Sequence, residues 1–392
     1  QEKDALLANL IGSILTNGKA GLIDLNLVKK QKLLRAGAFP YLLVDYGLLY
    51  ISASPSQGQS LDEVRKLIVN EIDNLKKGNF DDDLLPSIVN NFKKDAIQEA
   101  ETYGGRANLL MQAFTGKIDW RDQVAYVNDV QKITKADVVA FANKYLGDNY
   151  VAVYKKKGER TNVEKIEKPA ITPVETNADK QSAFVKMIND MPSTPVEPLF
   201  LDYNKDIQKS KLGKAEVLAV QNKDNDLFRL SFRYKIGTLN DLKMGLAAQY
   251  IQFLGTDKKS AEQISKEFYK IASSFRVSTG EDYTYVNIEG LQENFAAAVA
   301  LYEDLVTHAK LDEEALKSLK ARIAKYRTDV KANRNQIMQA LTSYALYGPK
   351  NKYNHALSNA ELEATSAAEL VDRLKKLNDV EQTIIYYGPA SI

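Results

Sequence analysis

Met244-Gly245-Leu246-Ala247-Ala248-Gln249-Tyr250-Ile251-Gln252-Phe253-Leu254-Gly255-Thr256 is the stretch from which the organisation of this chain unfolds. Its apolar residues, from Leu242 to Leu254, recur at helical spacing. Ahead of it, Ala215 to Val220 and Leu227 to Gly237 alternate like the strands of a hairpin. Behind it come a helix over about Ala261 to Ala272, a strand pattern from Phe275 to Leu291, and long helices near Glu293–His308 and Glu313–Val330. Thr383 to Tyr387 reads as a final strand. Strands, helices and more strands in that order indicate an α+β fold, with helices on one face of a mostly antiparallel sheet.

The same order is legible earlier in the chain. Tyr50-Ile51-Ser52-Ala53 and the helix at Val64 match Tyr285-Val286-Asn287-Ile288 and Val299, both at an offset of 235. Met111-Gln112-Ala113 matches Met338-Gln339-Ala340 at 227, and Val153-Tyr154 matches Ile385-Tyr386 at 232, a drift that loop insertions produce. Thr134 and Thr365 each open a helix with a threonine cap and an acidic residue in its first turns. The 235 offset lays Leu242 on Leu7, so the first copy begins at the helix near Ala5 and lacks the leading hairpin. The expectation is two duplicated units, the first partial, in a piece of a longer polypeptide.

The boundaries follow as 1–157 for the first unit, 158–198 for a linker and 199–392 for the second unit. Pro169, Pro173, Pro192, Pro195 and Pro198, five of the ten prolines, fall in the polar linker. Within it Ser182 to Met191 has a short amphipathic pattern suited to docking on a domain.

Composition narrows the function. Lys and Arg number 53 against 51 Asp and Glu, so no whole-molecule field attracts nucleic acid or an anionic membrane. The runs Lys29-Lys30 and Lys155 to Lys157 lack interleaved aromatics and read as solvated surface. Cysteine is absent, which removes disulfides, thiol nucleophiles and thiolate metal ligands. No apolar run approaches the ~18 residues of a membrane span, and the opening Gln-Glu-Lys-Asp is unlike a signal peptide. The compartment stays open between periplasm and cytoplasm. His308 and His355 read as surface or capping residues, Asp81-Asp82-Asp83 as a helix cap, and Asp4, Asp24 and Glu313-Glu314 as solvated helix faces.

Gly245-Leu246-Ala247 and Gly255-Thr256 frame a helix that resembles the pitrilysin/insulinase-like zinc metallopeptidases, a family that includes mitochondrial processing peptidase and the core subunits of respiratory complex III. The resemblance implies a metallopeptidase (LuxS-like) fold repeated along the chain. In active members the helix carries His-x-x-Glu-His, two imidazoles four apart on one face to hold zinc and a glutamate to polarise the attacking water. The corresponding positions are Ala248, Ile251 and Gln252. Alanine and isoleucine can neither ligate zinc nor accept a proton, so no metal or catalytic residue is assigned to this chain, and zinc is expected in the upstream unit of the parent. Family members also place an arginine and a tyrosine from a non-catalytic unit on the substrate. Arg35 and Tyr41, six apart, are the nearest candidates.

The resemblance therefore implies a non-catalytic, chamber-forming fragment of a zinc-dependent endopeptidase. Its partners would be peptide substrates and the remaining units of the parent or an active partner subunit, not nucleic acid. The alternative is an inactive scaffold or partner subunit like those of the processing peptidase or complex III.

Overall fold

Burial with a period of two runs through Thr284–Leu291, where Thr284, Val286, Ile288 and Gly290 all point inward. That strand sits inside a six-stranded sheet in a computed structural model that describes residues 3–159 and 167–391. Contact density joins residues up to Tyr150 with those from Ile207 onward in one unit and sets residues 151–206 apart as another.

The first half of the large unit contains α1 (Lys3–Leu15), a π-helical turn at Asp24–Lys29, β1 (Arg35–Leu42), β2 (Gly47–Ser54), α2 (Leu61–Lys76), α3 (Leu84–Ala100), α4 (Tyr103–Thr115), α5 (Trp120–Val130) and α6 (Lys135–Tyr145). Among the described residues of 151–206 there is one short helix, α7 (Ala183–Asn189), within the span read as amphipathic. Ser182 caps it and none of its residues is buried.

The second half starts with β3 (Gln208–Leu212), β4 (Ala215–Gln221) and β5 (Leu227–Tyr234). Next come α8 (Met244–Tyr250), its 3-10 extension Ile251–Phe253, α9 (Ala261–Lys270), β6 (Ser274–Thr279) and β7 (Thr284–Leu291). Helices α10 (Phe295–Thr307), α11 (Glu313–Val330), α12 (Arg334–Tyr347), α13 (Asn359–Ala364) and α14 (Ala367–Lys375) lead to β8 (Gln382–Gly388).

Helix starts follow local chemistry. Ser60 with Glu63, Thr134 with Asp137, Ser260 with Gln263 and Ser358 with Glu361 form reciprocal capping boxes, each contributing about 1 kcal/mol. Thr365 is one residue early as a cap: Ser366 accepts from the Glu369 N–H, while the Thr365 hydroxyl donates back to Glu361 O at 2.8 Å.

The fold is α+β and the large sheet is mostly antiparallel, in the order β3-β4-β8-β5-β7-β6. The sequence reading of β4 and β5 as a hairpin is corrected by that order. β8 lies between them, parallel to β4 (Val217 beside Ile384) and antiparallel to β5 (Leu230 beside Tyr386). Two alternating segments adjacent in sequence look like a hairpin whether or not a distant strand inserts between them.

Among the described residues the first half has no comparable sheet. Its β1 and β2 form a separate two-stranded ribbon. Val153 and Tyr154, read as a final strand, form none. Their match in the second half, β8, is held between β4 and β5, and among the described residues the first half has no counterpart of either.

Each half has its own core. Phe228, Tyr250, Phe268, Val286, Ile288 and Leu370 centre the second, while Leu10, Ile11, Ile14, Ile23, Leu75 and Ile88 centre the first. Burying each such side chain contributes about 1.5–3 kcal/mol. Helix α1 crosses β1 at Gly12, where a Cβ would stand 2.8 Å from Pro40 Cδ. The halves interpenetrate: Tyr269, on α9 of the second half, is buried in the core of the first, and Ile97 of α3 packs against Leu227, Ala272 and Leu291.

Candidate functional site

The helix that decides the family reading is buried on most sides. Ala248 is 8% and Ile251 2% exposed, the latter among the apolar side chains of the second core. Gln252 is exposed, and its amide donates to Gln249 O at 3.1 Å. These three positions do not fit a zinc ion: two present only hydrocarbon, and the middle one faces the core. Among the described residues no group of His, Cys, Asp and Glu side chains gathers to hold a metal.

The end of this helix is instead tied to its surroundings. Tyr250 Oη donates to Asp312 O at 2.7 Å and accepts from the Asp312 N–H at 2.9 Å, and burial pushes its phenol up to about 12. Lys29, from the π-helical turn of the first half, donates to Gln252 O and lies 5.9 Å from the Phe253 ring centroid. Burial lowers its ammonium to about 8. Arg322 also lies over the Phe253 ring, 5.0 Å from the centroid, and burial lowers its guanidinium. A cation at a helix C-terminus meets the free carbonyls and the negative end of the dipole. This end of the helix is a structural joint, bordered by a cleft of about 610 Å³ whose lining includes Lys29, Lys30, Lys258, Lys259 and Lys310.

Arg35 and Tyr41 lie at opposite ends of β1, about 20 Å apart at the rise of a strand. The structure does not bring them together. Arg35 Nε donates to Ser54 Oγ at 3.1 Å, and Tyr41 is 56% exposed opposite Leu48.

Other sequence readings change. Asp83 stands at the N-cap of α3 but makes no side-chain cap. The three carboxylates of Asp81, Asp82 and Asp83 pair with Lys266, Lys135 and Lys270, the first and third tying α3's entry to α9. Asp24 is not a solvated residue: it is 9% exposed and accepts from the N–H groups of Asn17 (2.6 Å) and Gly18 (2.8 Å). Desolvation raises its carboxyl, opposed by those bonds. Glu313 reaches the Ala367 N–H at 3.2 Å. His308 pairs with Asp304 at 2.9 Å, and His355 meets Thr238 O at 3.1 Å, both exposed.

Sequence reasoning missed the contact between the halves. Asn91 Nδ2 donates to Tyr269 O at 2.8 Å, Ser265 Oγ to Lys19 O at 2.8 Å, and Arg229 pairs with Glu101 at 2.6 Å. No periodicity announces such pairs, because each residue is an ordinary one on its own element.

Residues 245–360, which begin inside α8 and end in α13, match the profile of Insulinase (Peptidase family M16). That segment is similar to the insulinase-type unit of peptidase family M16. The chain is similar to three solved structures among others. An inactive domain of peptidase M16 from Pseudomonas fluorescens is 18% identical, with 47% of each chain covered and a TM-score of 0.41. The ferredoxin protease FusC, a mutant solved with Arabidopsis ferredoxin, is 13% identical over 97% of this chain and 45% of that one, at 0.43. The periplasmic protease PqqL from Escherichia coli is 12% identical over 99% and 45%, at 0.41. The chain spans less than half the length of these structures. No curated protein matches it significantly in sequence.

Proposed function

We propose that this chain is non-catalytic architecture of a zinc endopeptidase: two M16-type units, residues 1–157 and 199–392 joined by 158–198, that wall a chamber for unstructured peptides. The zinc-bearing unit belongs to the rest of the parent polypeptide or to an active partner subunit. The observation that carries this reading is the M16 helix itself, retained in frame but with Ala248 and Ile251 turned into packing and Lys29 clamped on its last carbonyl. Arg35 and Tyr41 are proposed as substrate contacts at two ends of one exposed strand face. Peptide would be held largely through main-chain bonds, which give affinity with little sequence preference.

The test is the natural polypeptide, alone and with co-purifying chains, assayed on a quenched unstructured peptide with and without a chelator. Chelator-sensitive cleavage supports the reading. Zinc-loaded protein that cuts no unstructured peptide sinks it and leaves the scaffold role of the processing-peptidase and complex III core type.

A further inference from the structure

Helix α9 lies along the joint between the two halves, and its ends are held differently. At the C-terminal end Tyr269 is buried in the first core, and Asn91 Nδ2 donates to both Ser87 O and Tyr269 O at 2.8 Å. Ile97 packs there against Leu227, Ala272 and Leu291. The cleft on this side, of about 560 Å³, has Tyr269 among its walls, and its charged groups are paired: Asp81, Asp82, Asp83 and Glu267 each hold a lysine.

The N-terminal end of α9 borders the cleft of about 610 Å³, which parts Lys29, Lys30 and Gln31 of the first half from the turn after α8 and the start of α11. Two side-chain bonds reach the second half here: Lys29 donates to Gln252 O, and Gln31 Nε2 donates to Ala315 O at 3.1 Å. Lys30, Lys258 and Lys310 line the same cleft and form no ion pair among the described residues.

Both of these bonds are opposed. Lys29 leaves water for a single carbonyl, and that burial is what lowers its ammonium to about 8. Gln31 Oε1 is, among the described residues, the one buried side-chain polar atom without a partner, and an unmet acceptor costs more than a typical bond returns. The backbone adds to this. Gln31 has φ 54°, with its N–H on Val28 O at 2.9 Å and the Lys32 N–H on Leu27 O at 2.8 Å. The same closure ends α2, where the left-handed position is Gly78. A side chain in that region disfavours the turn by roughly five- to thirtyfold. Ala272 adopts it too, at φ 46°, but is fully buried and packed at the tight end of α9. The segment leading into Gln31 is the π-helical turn, a rare geometry found mostly at functional sites.

We propose that residues 28–33 form a latch: they let go of the second half as one unit, relaxing the backbone at Gln31 and widening the lysine-lined cleft, while α9 stays anchored at Tyr269 and neither core opens. Strain, desolvation and an unmet acceptor gather at this edge of the joint, and packed apolar groups with satisfied polar ones gather at the other. The latch acts between the halves of this chain and stands whether or not the parent cleaves peptides.

The test uses the full 392-residue chain, followed by hydrogen–deuterium exchange and by the rate at which acetic anhydride labels the Lys29 amine. The amides of Lys32 and Leu33 exchange through one common opening, about tenfold or more easier than that of Ser273, whose N–H is held by Phe268 O at the far end of α9. Gln31→Ala removes the unmet acceptor and keeps the backbone strain; Gln31→Gly removes both. From the alanine to the glycine variant, exchange at Lys32 and Leu33 and labelling of Lys29 slow by one shared factor of about five, and Ser273 does not change. Equal rates in the two variants, or Lys32 and Leu33 exchanging no faster than Ser273, overturn the proposal. So does slowing at Lys32 and Leu33 without Lys29, which means that the turn frays by itself, or a matching change at Ser273, which means that the halves part as a whole.

Discussion

Replacing Tyr269 by alanine tests whether the halves fold as one body. The residue belongs to α9 of the second half, is 6% exposed and lies in the first-half core, with its carbonyl held by Asn91. A tyrosine buries about 200 Å², which at ~25 cal/mol/Å² is about 5 kcal/mol. That is an upper figure, because the unfolded chain already hides part of the ring. Aromatic-to-alanine changes in cores cost about 3–5 kcal/mol including the cavity, so about 4 kcal/mol is expected. Tyr269→Phe, which keeps the ring, should cost under about 1 kcal/mol. Urea unfolding followed by far-UV circular dichroism is the assay. Wild type should unfold with the halves coupled, and Tyr269→Ala should lower the midpoint and separate the curve into two steps. The exposed pairs Asp81–Lys266 and Asp83–Lys270 bridge the same joint, yet Asp81→Asn with Asp83→Asn should leave the midpoint nearly where it was, since solvent and salt screen them. A Tyr269→Ala curve within about 1 kcal/mol of wild type, still single, would mean that the halves do not depend on this side chain.

Three further outcomes follow from particular contacts. Ile251→Glu puts an unpaired charge into the second core and should cost about 3–5 kcal/mol, with no recovery on adding zinc, as thermal melts with and without the metal will show. Thr16→Val strips both bonds from Ala38 and should cost about 1–2 kcal/mol in urea titrations, with faster exchange at Ala38. Lys29 is lowered to about 8 from 10.5, so above pH 8 the unfolded chain binds the proton that the folded chain has released. Its penalty is complete below pH 8 and is relieved as pH rises through 8 toward 10.5. The stability difference between Lys29→Met and wild type should therefore shrink over that window, and a difference constant with pH would contradict it.

What could be read from the sequence was what repeats locally. The helix at Met244–Tyr250, the strand at Thr284–Leu291 and the helix at Glu313–Val330 announce themselves by period and by caps such as Thr134 and Ser260. That Ala248 and Ile251 can neither ligate a metal nor accept a proton is legible as well, because side-chain chemistry needs no coordinates. Pairing was not. Nothing in Thr383 to Tyr387 says that it slides between β4 and β5, and nothing in Asp24 distinguishes a buried loop anchor from a solvated acid. The spacing of six between Arg35 and Tyr41 carries no distance by itself; in an extended strand it spans nearly the full length of β1. Long-range information of this kind sits in complementary surfaces, which a single chain does not label.

The placement of β8 carries a kinetic consequence. β4 and β5 share no ladder until Gln382–Gly388 arrive, about 150 residues after Tyr234. During synthesis at about 5–20 residues per second, that interval lasts on the order of ten seconds. For its duration the β3–β4 and β5–β7–β6 segments each present a raw margin to the crowded cytosol around the ribosome. A holding chaperone that recognises bare strands would have its natural window here, and the late strand works as the zip that ends it.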